Sequence, residues 1–138
     1  MTFLASHRVR ELKDGRKVVL AEKVHEFLDW ASRLFDISVC SLGDQQYVDM
    51  VCQVLNSEGQ IIRGGVAYSA RGEYLYLLQQ ANSKKPPKDL HSLYAFYDIA
   101  EPRIEPIILD DNANMWPADQ QDNIIVIQLF SALFLTCY

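Results

Sequence analysis

VDMVCQVLNSEGQIIRGGVAYSARGEYLYLLQ, residues 48–79, is the stretch whose reading decides the fold. Its first run sets Val48, Met50, Cys52 and Val54 on alternate positions, with Asp49, Val51 and Gln53 between them. Successive side chains of a strand face opposite sides, so this alternation predicts one apolar face. Asn56-Ser57-Glu58-Gly59 then supplies a turn. The second run, Gln60 to Ser69, puts Ile62, Val66 and Tyr68 on one face, and Gly64-Gly65 interrupts it as a bulge would. Ala70-Arg71-Gly72 turns the chain again. The third run, Glu73 to Gln79, sets Tyr74, Tyr76 and Leu78 opposite Leu75 and Leu77. Three strand-like runs with two short turns predict an antiparallel meander.

Upstream, Leu20, Val24, Phe27, Leu28, Ala31, Leu34 and Phe35 recur at intervals of three and four, which predicts an amphipathic helix from Lys17 to Phe35. Glu22, Glu26, Asp29 and Arg33 fall on its other side, with Asp29 and Arg33 spaced to pair. Asp14-Gly15 marks a turn, and Val9 to Leu12 reads as a short strand or a loose turn. Downstream, Ala81 to Lys88 reads as a loop in which Lys84, Lys85 and Lys88, split by Pro86 and Pro87, are solvated. His91 to Ile99 alternates like a strand. Ile104 to Leu109 reads as a further strand, at an edge because of Pro106. Asp110 to Asn123 reads as a polar loop apart from Met115-Trp116-Pro117.

Residues Ile124 to Tyr138 carry no charge. As a helix they would reach about 22 Å at the usual rise, short of the ~30 Å of a bilayer core, so no membrane span is expected. The segment reads instead as a core strand over Ile124 to Phe130 with packed chain behind it, or as an interface. Together these elements predict one α+β domain over residues 1–138, with residues 1–7 flexible. Its fold class is one amphipathic helix packed on a predominantly antiparallel four- to six-stranded sheet.

The composition narrows the function classes. A chain of 138 residues with 49% hydrophobic and 22% charged residues has enough apolar material for a core, so wholesale disorder is excluded. The net charge of −5 argues against a nucleic-acid partner, which calls for a basic face. Cys40, Cys52 and Cys137 form no Cys-x-x-Cys pair and lie near no histidine at metal-ligand spacing, which points to a reducing, cytoplasmic setting.

No pattern of catalytic residues stands out. His7, His25 and His91 match no zinc-protease spacing, although His91 could meet a carboxylate in space. Cys40 and Cys52 have no basic neighbour to activate them and read as buried structural thiols. Asp110, Asn112 and Asn114 hold the one-three-five spacing of a calcium loop. However, Met115 stands where that loop needs glycine and Gln121 where it needs glutamate. Gly64-Gly65 lacks the downstream carboxylates that a two-magnesium enzyme needs. Glu105 to Asp110 resembles a late motif of oligoadenylate-synthetase-like proteins over fewer than ten residues, without the metal-binding pattern, and implies no site residue. The expectation is therefore no catalytic residue, no cofactor and no metal site.

The tyrosines are the most suggestive group. Tyr68, Tyr74 and Tyr76 would share a sheet face, with Arg63 and Arg71 at its rim. Such rings are enriched at interfaces. The function expected from this reading is a non-catalytic interaction module, an inhibitor, adaptor or assembly subunit, whose partner is another protein or a second copy of the chain. The alternatives are a small-ligand pocket between helix and curved sheet, with enzymatic use of His91 or a loop aspartate, or a degenerate nucleotide-binding domain.

Overall fold

The computed structural model describes residues 9–56, 59, 61–62, 66–80, 84–96, 106–127 and 135–137. The chain opens with a hairpin, β1 (Val9–Glu11) and β2 (Lys17–Val19), paired antiparallel with Val9 opposite Val19. Gly15 sits at its tip with φ +90°, a conformation that other residues adopt only under strain. The first part of the helix expected from Lys17 is therefore strand. Helix α1 occupies only Val24–Ser32 and buries Val24, Leu28 and Ala31. Phe27, Trp30 and Leu34 lie exposed on its outer side, and Asp29 pairs with Arg33 there.

Strand β3 (Ile37–Ser41) is buried over Ile37, Ser38, Val39 and Cys40. An unbroken buried run of this kind suits a strand covered on both faces. The chain then forms α2 (Gln45–Leu55), where a strand was expected. Asp44 caps it, its carboxylate accepting the Tyr47 N–H at 2.8 Å. Val48, Val51, Cys52 and Leu55 form the buried stripe at helical spacing. Positions 48 and 52 belong to both periods, which is why alternation misled. The helix returns the chain to β4 (Ala67–Ser69), parallel to β3, as a crossover between parallel strands requires.

The next two expected strands are also helices where they are described; residues 97–99 of the second lie outside the described residues. α3 (Arg71–Gln79) buries no side chain. α4 (Leu90–Phe96) buries Leu90, Leu93 and Tyr94, an i, i+3, i+4 set. Strand β5 (Ile107–Asp110) follows, then two short 3-10 turns at Ala113–Met115 and Ala118–Asn123, then β6 (Ile124–Val126) and β7 (Leu135–Cys137). The main sheet has the order β4-β3-β7-β5-β6. β5 and β6 are parallel, whereas β7 lies antiparallel to both β3 and β5. Four of the five strands thus run the same way, which corrects the expectation of a predominantly antiparallel sheet while leaving a mixed helix-and-strand fold. β5 is interior despite Pro106. β6 is the edge strand, with Ile125 and Val126 exposed; residues 128–134 of the segment expected as a core strand or an interface lie outside the described residues.

Two apolar clusters hold these layers. One joins α1, α2 and the hairpin through Leu12, Val18, Leu20, Leu28, Val48 and Leu55. The other surrounds Cys40, Tyr68, Leu93, Tyr94, Ile108 and Trp116. No helix among the described residues is long and apolar enough to cross a membrane.

Candidate active site

Ser41 ends β3 and Asp110 ends β5, so both stand at the carboxyl end of strands that run the same way. In open α/β sheets this is the end where ligands bind. A cavity of about 370 Å3 opens there, lined by Ser41, Leu42, Gly43, Tyr47, Lys88, Asp110, Asp111, Asn112 and Met115.

The cavity floor is an ion pair. Lys88 Nζ lies 2.8 Å from Asp110 Oδ2, and both side chains are 2% exposed. Lys88 was expected in a solvated loop, and the structure corrects this. Its backbone N–H donates to the Met115 carbonyl at 3.0 Å, which fastens the loop to the turn after β5. Pro87 just before it is also buried. The Lys88 ammonium stands 5.8 Å from the centroid of the Trp116 ring, at the outer reach of a cation–π contact. A buried charge is costly unless it is paired and hydrogen-bonded, and Asp110 meets both conditions. Its Oδ2 accepts from the Trp116 indole N–H at 2.8 Å, and its Oδ1 accepts from the Asn112 N–H at 3.0 Å. Burial by itself raises the Asp110 carboxyl. The Lys88 charge, with the hydrogen bonds from Lys88, Asn112 and Trp116, outweighs this and holds it below the ordinary aspartate value. Asp111 moves the other way. Desolvation, then its hydrogen bond to Asp110 and the charge there, push its carboxyl up.

The opposite side of the cavity is set by the loop after β3. The Ser41 hydroxyl oxygen accepts the Gly43 N–H at 3.1 Å, while the Ser41 carbonyl accepts the Ala70 N–H at 2.8 Å. A Cβ on Gly43 would lie 2.5 Å from Tyr47 Cδ1, so a larger residue here would have to displace that ring. Gln45 ties the loop to β4, donating to the Ala67 carbonyl at 3.0 Å and accepting the Ser69 N–H at 3.2 Å. Behind Lys88, Gln120 joins the Leu90 N–H at 3.1 Å to the Asp89 carboxylate at 2.8 Å, fixing the start of α4.

The tyrosines and Arg71 singled out from sequence do not line this cavity. Tyr68 is buried in β4, whereas Tyr74 and Tyr76 stand on α3, so the three do not form one sheet face. Arg71 opens α3 and donates to the Leu42 carbonyl at 3.4 Å. Arg63, like the Gly64-Gly65 pair, lies outside the described residues. His91 does meet a carboxylate, Asp119 at 3.4 Å, but both side chains are exposed and neither lines the cavity. Cys40 and Cys52 are buried, and burial pushes each thiol up to about 12.

A model of the family described as NLI interacting factor-like phosphatase matches residues 6–133. The chain belongs to that family. No curated protein and no solved structure gives a match. Membership overturns the reading of the chain as a non-catalytic interaction module, because this family is one of phosphatases. It agrees better with the alternative of a ligand pocket that uses a loop aspartate. The residues that sequence reasoning missed as a site are Ser41, Lys88, Asp110 and Asp111. One signal was present: an apolar run, Ile107 to Leu109, that ends on two aspartates and is followed by a tryptophan.

Proposed function

We propose that the cavity binds the phosphoryl group of a phosphate ester and hydrolyses it. The observation that carries this reading is the buried Lys88 ammonium at the floor of a cavity in a phosphatase-family chain. Lysine is a compact positive charge suited to phosphate oxygens. In phosphoryl transfer the charge spreads over the equatorial oxygens, so catalysis is mostly positioning and electrostatic stabilisation. Lys88 supplies the charge and Ser41 a hydroxyl donor from the facing strand. Asp110, kept ionised by Lys88 and Trp116, holds the ammonium in place. Asp111, which also lines the cavity and whose carboxyl is raised, is a stronger base than an ordinary aspartate and takes the proton from an attacking water. The ester P–O bond breaks as the new one forms, and the departing oxygen is protonated by solvent water.

Phosphoryl transfer often employs a divalent cation. Among the described residues no group of three His, Cys, Asp or Glu side chains is placed to hold one. Both Asp110 oxygens are already engaged by hydrogen bonds. The described donors do not fit a complete cation cage, and the roles given to Lys88 and Ser41 do not pass through one.

The test is phosphate release from p-nitrophenyl phosphate by the wild-type chain and by Ser41→Ala. Removing one donor to a developing negative charge costs roughly 10²-fold or more in turnover. A wild-type rate equal to buffer, or a folded Ser41→Ala variant as fast as wild type, contradicts the proposal.

A further inference from the structure

The polar floor occupies only part of the cavity. Water takes up about 30 Å3 per molecule in the liquid, so 370 Å3 is the space of roughly a dozen waters. A phosphoryl group on Ser41 and Lys88 displaces only a few of them. Asp111 and Asn112 extend the polar side; the apolar wall is Leu42, Tyr47 and Met115, contributed by the loop after β3, the first turn of α2 and the turn after β5. None of the three carries a charge. The Tyr47 ring is flanked on two sides: by the Gly43 backbone, where an added Cβ would meet its Cδ1, and by the Arg16 guanidinium, 4.9 Å from its centroid. A ring held in this way contributes contact area at little entropic cost. Met115 adds a polarisable thioether that adapts to an aromatic partner.

We infer that this wall selects a phosphoryl group carried on an aromatic ring, an aryl phosphate, over one carried on a short alkyl chain. The inference rests on the phosphoryl-binding reading and adds to it the class of the leaving group. A ring seated against Leu42, Tyr47 and Met115 leaves water together with the wall, whereas an ethyl group leaves most of the wall wet.

Calorimetric titration of the wild-type chain with inorganic phosphate, and with ethylphosphonate and phenylphosphonate as non-hydrolysable stand-ins for the two esters, tests it. The phenyl compound is expected to bind at least fivefold tighter than the ethyl compound, and Tyr47→Ser to cut that ratio by half or more. A wild-type ratio below fivefold overturns the inference, without need of a variant. So does a ratio that is unchanged in folded Tyr47→Ser and Leu42→Ser. The two layers separate cleanly. If none of the three ligands binds, the phosphoryl-binding reading fails. If inorganic phosphate binds and the two phosphonates bind alike, only the choice of an aromatic ring fails.

Discussion

Helix α3 and the Lys88–Asp110 corner differ in almost every physical respect. α3 carries Tyr74 and Tyr76 yet buries no side chain, and Tyr76 is 61% exposed. The corner hides a lysine and an aspartate, each 2% exposed, with the Trp116 indole hydrogen-bonded to the aspartate. Interactions on α3 are exchanged with water and are individually weak. Those in the corner are made where water does not compensate for a lost partner. Conspicuous residues and consequential residues are therefore not the same in this chain.

The largest effect that sharpens this contrast is expected from Lys88→Met. It leaves Asp110 ionised without its cation, and breaking one side of a buried pair costs about 3–5 kcal/mol. Urea denaturation checks this. A loss below 1 kcal/mol would place Lys88 in a far wetter setting than the one described. Acidification gives the next effect. The Asp110 carboxyl lies below its ordinary value of 3.8 when folded. Its contribution is therefore present in full above pH 3.8 and is lost as pH falls through the depressed value. Stability should drop in that acid window, and Asp110→Asn should remove this component of the slope. The smallest effect is expected on α3. Tyr76→Ser should change stability by no more than about 0.5 kcal/mol, as exposed substitutions usually do. A loss of several kcal/mol by the same denaturation measurement would erase the contrast.

The same comparison explains what could be read from sequence. The mixed helix-and-strand class was legible from composition and from the stripe through Val24, Leu28 and Ala31. The meander was not there, because residues four apart satisfy both periods over short runs. Val48 and Cys52 lie on one strand face and equally on one helix face, and the Asp44 cap decides between them. The described part of the run from His91 misled for the same reason, with Leu90, Leu93 and Tyr94 as the buried set. Lys88 was illegible because its burial depends on Asp110, 22 residues later, and on Trp116. A lysine beside two prolines is locally indistinguishable from a solvated one. Asp110 was legible only as the residue that follows a strand, and Ser41 was not singled out at all. Their meeting at one cavity depends on β3 and β5 running the same way, which no local pattern encodes.

The chain has two tryptophans, which give the most direct test of the central claim. Trp116 donates its indole N–H to Asp110 beside Lys88, whereas Trp30 stands exposed on α1 and does not line the cavity. The measurement is a titration of the 15N-labelled protein with inorganic phosphate, following the two indole N–H signals assigned with Trp30→Phe. A phosphoryl group bound at Ser41 and Lys88 shifts the Trp116 signal along a saturating curve and leaves the Trp30 signal in place. A Trp116 signal that stays fixed up to high phosphate, or that drifts together with Trp30 without saturating, would contradict the account.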